Sequence, residues 1–271
     1  MTAESRPLED TPGAGFARLA GSTLFAKLAA GAVLLALWEI GVRVWAPAYV
    51  ARPSGVASVL PEVIASGAFL SAAGATLGSV IEGLAIALML GIAVGIAMGR
   101  SFVVDRLIRY YVFALFAMPM VAILPLITLW LGYTDGARLA TTVFAAFFSI
   151  VLNAADGARA VPQEYLEVGR SFRAPRWRVI LDIVLPASMP YLLAGIRLAA
   201  ARALIGAVVA EFFISVNGLG FFILFNSRSF RHNQAIVAVL VLAGCGVGFE
   251  ALVNGVTRHY FPWYRRDEKP R

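Results

Sequence analysis

The residue types that most often carry out chemistry in proteins are scarce in this chain. It has two histidines, His232 and His259, and one cysteine, Cys245, so no cysteine-rich metal centre and no internal disulfide are expected. It has no H-E-x-x-H pair and no G-x-S-x-G turn for a nucleophilic serine. Lys27 follows alanine and Lys269 follows glutamate, whereas a phosphate-cradling loop needs a glycine before its lysine. We therefore expect no catalytic residue, no metal site and no ATP site in this chain.

Ionisable residues do occur inside long apolar stretches, where a charge is costly unless it is paired or used. They are Glu39, Glu82, Arg197, Arg202, Glu211 and Glu250. Glu82 and Arg202 lie at similar depth, which predicts that they pair. Arg197 and Glu250 are matched in the same way and predict a structural salt bridge. Arg202 has a second interpretation, in which it helps to attract an anion inside a cavity.

The elements that carry these residues are predicted membrane helices. Hydrophobic residues make up 60% of the 271 residues and charged residues 14%, with a mean hydropathy of +0.79. Soluble domains average roughly 45–50% apolar and about 25% charged, and an apolar helix of about 20 residues crosses a bilayer. The sequence predicts an all-α integral membrane protein with six spans, at 24–46, 71–98, 107–131, 138–160, 189–214 and 234–256.

Basic residues outside the spans predict the orientation of the chain. With the N-terminus in the cytoplasm, the cytoplasmic segments carry about three times as many arginines and lysines as the outer segments. Both termini are then cytoplasmic. Residues 1–23 are expected to be a flexible tail that does not resemble a cleaved signal peptide, 24–258 the transmembrane domain and 259–271 a second tail. This bias also explains the net charge of +7, so nucleic-acid binding is not expected.

Residues 161–186, VPQEYLEVGRSFRAPRWRVILDIVLP, are too charged to cross a membrane and are patterned like two short amphipathic helices. Tyr165, Val168 and Phe172 are spaced i, i+3 and i+7 and share one face of the first helix. Pro175 is expected to end that helix and to start the next. The sequence therefore predicts a helical elbow between the fourth and fifth spans.

The polar and apolar positions of this elbow are compatible with two roles. On the first helix Glu167 can pair with Arg170 three residues later. The second helix has an apolar face made of Trp177, Ile180, Leu181 and Val184. The elbow is either a basic helix lying on lipid headgroups or a docking element for a cytoplasmic partner, and its amphipathic pattern fits both.

Prolines and glycines mark two other spans. Pro119 and Pro125 each remove a backbone hydrogen bond in the third span, and such irregularity is tolerated at membrane depth where it is buried in protein or faces water. They favour a third span that lines a pathway, although a packing kink also explains them. Gly91, Gly95 and Gly99 recur every four residues, which indicates close contact with another helix.

The elbow resembles the EAA loop of bacterial ABC importer permeases. The pattern of that loop is E-A-A, three residues, G, nine residues and I-x-L-P. Glu167-Val168-Gly169 stands at the place of E-A-A, and Ile183-Val184-Leu185-Pro186 stands at the I-x-L-P spacing. Arg173 stands where the pattern has glycine, which would allow a tight bend. Pro175 is expected to supply the break instead.

The resemblance extends over residues 52–264 and is to the nitrate, sulfonate and taurine branch of these permeases. The motifs that carry it are Arg52-Pro53-Ser54 at the start of the second span, Met118-Pro119, Leu124-Pro125 and Leu129-Trp130-Leu131-Gly132 in the third, Gly195-Ile196-Arg197-Leu198 and Val209-Ala210-Glu211 in the fifth, and Gly218-Leu219-Gly220 in an outer loop.

The resemblance implies a type I ABC importer permease fold in the inner, cytoplasmic membrane of a bacterium. Two permease chains, here expected to be two copies of this one, would form the pathway within the lipid. Two cytoplasmic ATPase subunits would bind ATP and magnesium, so that this chain itself is not an enzyme. A periplasmic or lipid-anchored binding protein would deliver a small solute, expected to be an anion such as nitrate, a sulfonate or taurine.

Roles for individual residues follow from the same resemblance and from the span chemistry. The residues expected to couple to the ATPase are Glu164, Tyr165, Glu167, Val168, Gly169, Arg170, Phe172, Arg173 and Trp177. The residues expected along the translocation pathway are Met118, Pro119, Pro125, Arg202 and Glu211. The alternative function is an ion-coupled secondary transporter, but such proteins tend to have inverted repeats and no internal repeat stands out here. A non-transporting membrane scaffold is a third possibility.

Overall fold

The computed structural model describes residues 23–47, 49–214 and 216–260, and all regular structure within these ranges is helical. Helices are numbered α1 to α11 in chain order. The expected tails at 1–23 and 259–271 lie outside the described residues except for their inner ends.

The helices are α1 Thr23–Trp45, α2 Pro53–Ala65, α3 Gly67–Arg100, α4 Phe102–Ala117, α5 Met120–Leu131, α6 Asp135–Ala160, α7 Gln163–Ser171, α8 at 176–187, α9 Met189–Ile214, α10 Leu219–Arg228 and α11 His232–Tyr260. Helix α8 joins Arg176–Arg178, the π-helical stretch Val179–Val184 and Leu185–Ala187.

The predicted number and positions of the membrane spans are confirmed. Helices α1, α3, α6, α9 and α11 are each long and apolar enough to cross a membrane, and α4 with α5 makes a sixth when the pair is counted as one broken span. The fifth span, predicted at 189–214, coincides with α9. The apolar runs were sufficient to predict the spans, because each run is longer than the bilayer core requires.

The third span is not the continuous helix predicted over 107–131. It consists of α4 and α5, whose axes are bent by 104°. Met118 is extended, with φ −67° and ψ 132°, because the ring of the following Pro119 disfavours helical geometry at this position. Pro125 lies inside α5 without ending it. Pro119 therefore breaks the span, whereas Pro125 is accommodated within α5.

Two short helices lie outside the predicted spans. Arg52-Pro53-Ser54 does not lead directly into the second span but starts α2, with Pro53 in its first turn. The second span begins after Ser66, whose hydroxyl accepts a hydrogen bond from Phe69 N at 3.3 Å. Helix α10 occupies the expected outer loop. With 13 and 10 residues, α2 and α10 are too short to register as spans.

Helix α6 is the centre of the bundle and packs along both α3 and α9. The predicted close contact is confirmed, since α3 meets α6 at all three glycines, Gly91, Gly95 and Gly99. A Cβ on Gly95 would lie 2.5 Å from Ala154 Cβ and 2.6 Å from Val151 O. On the other side, a Cβ on Gly206 of α9 would lie 2.7 Å from Ala145 Cβ. Small residues thus let three spans approach at backbone distance.

Replacing Gly95 by leucine should separate α3 from α6, because the backbone of Val151 cannot move aside as a side chain can. Overpacking of this kind typically costs about 1–3 kcal/mol. We expect a lower yield of monodisperse protein in mild detergent and a lower unfolding temperature. Gly74→Leu on the same helix is the matched control, because nothing lies within 4 Å of a Cβ there. Equal melting of the two variants would contradict the packing role.

An ion cluster fixes the end of α6 from which the elbow departs. Arg159 donates to Asp156 at 2.9 Å and also contacts Asp105 at the start of α4. Asp105 in turn pairs with Arg109 at 2.6 Å. The polar residues that crowd the end of the fourth span therefore tie α4 to α6 just before the elbow begins.

Candidate functional site

Helices α7 and α8 form the predicted elbow and are packed against each other. Leu166 is buried in a cluster that includes Val184 of α8 and Ile96 of α3. A Cβ on Gly169 would lie 3.1 Å from Ile183 Cδ1 and 3.2 Å from a methyl group of Val179. Gly169 is buried, so its place is between the two elbow helices rather than on an outer surface.

The predicted apolar face of the first elbow helix is exposed. Tyr165 is 55% exposed, Val168 53% and Phe172 83%. Trp177, at the start of α8, is also exposed. Side chains of this size left uncovered on a patterned element are typical of a surface that another molecule covers.

The bend between the elbow helices is made at Arg173, and not by Pro175 alone as expected. Arg173 has φ +50°, in the left-handed region that favours glycine. Its N–H donates to Arg170 O at 2.8 Å and Ala174 N donates to Gly169 O at 3.0 Å, which is the hydrogen-bond pattern of a Schellman motif. The arginine therefore adopts the conformation that the glycine of the family pattern would adopt, and Pro175 then starts α8.

The Glu167–Arg170 pair considered for this helix is not formed among the ion pairs of the described residues. Both side chains are exposed, as is Glu164. The polar groups of α7 are therefore free to contact a partner at the rim of the apolar face.

The break in the third span opens onto a cavity of about 350 Å³. Its wall is formed by residues of α4, α5, α6, α9 and the connection between α4 and α5, among them Phe116, Met118, Phe144, Phe148, Arg202 and Ile205. The Arg202 guanidinium carbon lies 4.0 Å from the centre of the Phe116 ring, and Nη1 donates to Phe116 O at 3.5 Å. Of the residues expected along a pathway, the fold thus brings Met118 and Arg202 together beside Pro119. Pro125 lies further along α5.

Glu211, also expected along the pathway, is instead enclosed by protein. It is fully buried and accepts hydrogen bonds from Thr76 Oγ1 and from Gly220 N, both at 2.8 Å. Thr76 also accepts from Leu219 N at 2.8 Å. The carboxylate therefore joins α3 and α9 to the start of α10.

The counter-charge of Glu211 is Arg138, at 3.6 Å between Nη1 and Oε1. Arg138 also donates to Asn217 O at 2.6 Å and pairs with Asp135 at 2.8 Å. The sequence analysis did not predict this pair, because Arg138 stands at the first position of the predicted fourth span and was not weighed as a charge inside the membrane. Its place at the start of that apolar run was the available signal.

The two predicted charge pairs are wrong. Glu82 is exposed in a shallow depression with Asp135 and Arg138, while Arg202 faces Phe116. No ion pair of the described chain contains either residue. A similar depth in the membrane says only how far along its helix each residue lies. The side chains of Glu82 and Arg202 leave α3 and α9 in different directions, so they do not meet.

The predicted Arg197–Glu250 pair is not formed, because Arg197 contacts a residue one helical turn further along α11. Arg197 Nη2 donates to Asn254 Oδ1 at 2.6 Å rather than to Glu250, four residues earlier on α11. Arg197 and Glu250 nevertheless line the same cavity. Glu39, the remaining charge in the spans, pairs with Arg43 at 2.6 Å within α1.

Comparison with known proteins gives one family match and several full-length similarities. A sequence model described as "Binding-protein-dependent transport system inner membrane component" matches residues 87–266. The formylaminopyrimidine transport permease protein ThiX of Halalkalibacterium halodurans is 27% identical, over 86% of this chain and 94% of that protein. The putative aliphatic sulfonates transport permease protein SsuC of Bacillus subtilis is 28% identical, over 86% and 85%. A crystal structure of an amino acid ABC transporter with histidines is similar in fold, with a TM-score of 0.58 and 17% identity over 73% of this chain and 97% of that chain.

Proposed function

The chain belongs to the binding-protein-dependent transport system inner membrane components, and on this premise we propose that two copies of it form the solute pathway of an ATP-driven bacterial importer. It is a multi-pass membrane protein, and the relatives that it matches are permease subunits. In the proposed assembly two ATPase subunits bind ATP and magnesium, and a separate binding protein delivers the solute. The membrane is the inner membrane, with both termini and the elbow in the cytoplasm.

The exposed apolar face of the elbow is the observation that carries this proposal. Tyr165, Val168 and Phe172 form an exposed apolar surface that a groove of the ATPase would cover, and the exposed Glu167 lies beside it on α7. The alternative, a helix resting on lipid headgroups, would leave this part of the chain without a role in the family's energy coupling. A docked elbow would be a rigid element through which the two ATPases move the permease.

Motion of the elbow would reach the spans through a short path. Helices α7 and α8 move together because Leu166 and Gly169 pack between them. Only Ser188 separates α8 from α9, and its N–H donates to Val184 O at 2.9 Å. Helix α9 carries Arg202, which faces the break in the third span. A displacement at α7 is therefore transmitted to the proposed pathway within two helices.

The proposed solute is a small anion. SsuC, one of the relatives, is named for aliphatic sulfonates, and the cavity beside Arg202 has the charge that an anion requires. ThiX is named for formylaminopyrimidine, so relatives of comparable similarity differ in solute. The charge within the proposed pathway favours solutes that carry an anionic group, such as nitrate, sulfonates and the sulfonate group of taurine.

The function is tested by purifying the chain alone and together with the ATPase and the binding protein of the same genome. We expect no ATP hydrolysis by the chain alone, because it has no phosphate-cradling loop. In proteoliposomes we expect hydrolysis by the assembly to rise when the loaded binding protein is added, and uptake to require ATP. Uptake that is abolished by an ionophore and is indifferent to ATP would instead identify the ion-coupled secondary transporter.

A further inference from the structure

We propose that Arg202 and the break in the third span form an oxyanion-binding site inside the permease itself, at which the solute is held during its passage. This inference rests on the permease function proposed above and assigns a residue and a ligand chemistry to its pathway. The ligand group is a sulfonate, carboxylate or nitrate.

Arg202 has N–H donors to spare and is held more weakly by the described residues than Arg138 or Arg197. Arg138 is held by two carboxylates and a carbonyl, and Arg197 donates to the Asn254 side chain. Arg202 takes part in no ion pair of the described residues and donates once, at 3.5 Å, to Phe116 O. A guanidinium has five N–H donors, and a cation at membrane depth is costly unless it is paired or used. A passing anion supplies the missing counter-charge.

The ring of Phe116 holds the guanidinium in a defined place without neutralising it. Its centre lies 4.0 Å from the guanidinium carbon, within the range of a cation–π contact. Arg202 lines the cavity and uses one N–H on Phe116 O, and the planar fork of a guanidinium matches the geometry of an oxyanion. A lysine at the same position would supply charge without the fork.

The cavity has the size and the lining of a small-ligand site. Its volume of about 350 Å³ is at the lower end of the roughly 300–1,000 Å³ found for ligand pockets. Phe144, Phe148 and Ile205 give it apolar walls, against which the alkyl part of an organic anion can lie. Met118 stands at the break and is 42% exposed, so the cavity is reached from the side where the span is interrupted.

The test measures the electrostatic preference of this cavity without knowing the natural solute. Met118→Cys is introduced into a Cys245→Ser background, and the assembled transporter is treated with methanethiosulfonate reagents. One reagent carries an ethylsulfonate and the other an ethyltrimethylammonium group. We expect Arg202→Gln to lower the ratio of the anionic to the cationic reaction rate by about tenfold, because removing a nearby unit charge acts oppositely on the two reagents. Free ethanesulfonate should slow the anionic reagent only when Arg202 is present.

Arg197→Gln is the matched control, because this arginine also lies in α9 but donates to Asn254 at 2.6 Å and lines a different cavity, together with Glu250. It should leave the rate ratio unchanged. The site is refuted if the introduced cysteine does not react, if Arg202→Gln leaves the ratio unchanged, or if Arg197→Gln lowers it equally. Hydrolysis stimulated by the binding protein is measured on the same preparations. If the binding protein still stimulates hydrolysis normally but Arg202→Gln leaves the reagent rate ratio unchanged, the site alone is refuted. If the unsubstituted chain does not assemble with the ATPase and the binding protein, the permease function is refuted.

Discussion

Reversing the charge at Glu167 is expected to abolish uptake while the chain remains inserted and folded. Glu167 is exposed on α7 at the rim of the apolar face, and no ion pair of the described residues contains it. Its replacement by lysine therefore removes nothing from this chain's own core. At a docked interface the reversed charge would meet a partner built for a carboxylate, and uptake should fall by about tenfold or more. Uptake in cells and co-purification of the ATPase are the two measurements.

Asp182→Lys is the matched control for this charge reversal. Asp182 is exposed on the same elbow but lies on α8 rather than on α7. If the elbow only rests on anionic headgroups, both variants add a basic residue to a lipid surface and both retain uptake. If Glu167→Lys retains normal uptake and still co-purifies with the ATPase, the docking role is refuted and the elbow is a helix that lies on the lipid surface.

Gly169→Phe probes the same coupling from the inside of the elbow. The new side chain would have to displace Ile183 and Val179 and so separate α7 from α8. We expect uptake to be abolished while the spans remain intact, since the contact lies outside them. Retained uptake would show that the two elbow helices need not move as one body.

Removing the carboxylate of Glu211 is expected to produce the largest loss of stability. Glu211→Ala leaves the Gly220 N–H without its acceptor, leaves the Thr76 hydroxyl with Ala72 O alone, and deprives Arg138, 8% exposed, of its buried counter-charge. Breaking a buried pair by removing one partner costs about 3–5 kcal/mol. Unfolding of the purified chain in detergent should show this loss.

Two further variants separate the pair from the general effect of losing a carboxylate. Glu250→Ala removes an exposed carboxylate that joins no ion pair of the described residues, and it should change stability little. Adding Arg138→Met to Glu211→Ala should recover part of the loss, because the unpaired cation is then gone. Strictly additive losses would show that the two residues are not coupled.

The sequence by itself determined the membrane class, the number of spans, the elbow and the glycine contacts. Each of these depends on spacing along the chain. An apolar run longer than the bilayer core must span it, the i, i+3, i+7 pattern from Tyr165 to Phe172 fixes one face of a helix, and glycine every fourth residue fixes the side on which α3 is approached. Neighbouring residues specify such features without reference to the rest of the fold.

The tertiary structure alone decided how charges are paired and how the breaks are shaped. Depth along a helix is readable from sequence, but the rotation of α3 against α9 is not, and it separates Glu82 from Arg202. The same packing places Arg138 beside Glu211, 73 positions apart in the sequence. Arg173 adopts a left-handed conformation because the contacts of α7 with α8 and two backbone hydrogen bonds hold it there. A buried charge or a strained dihedral is stabilised by residues that are distant in sequence and become neighbours only in the fold. These features could therefore not be predicted from the sequence alone.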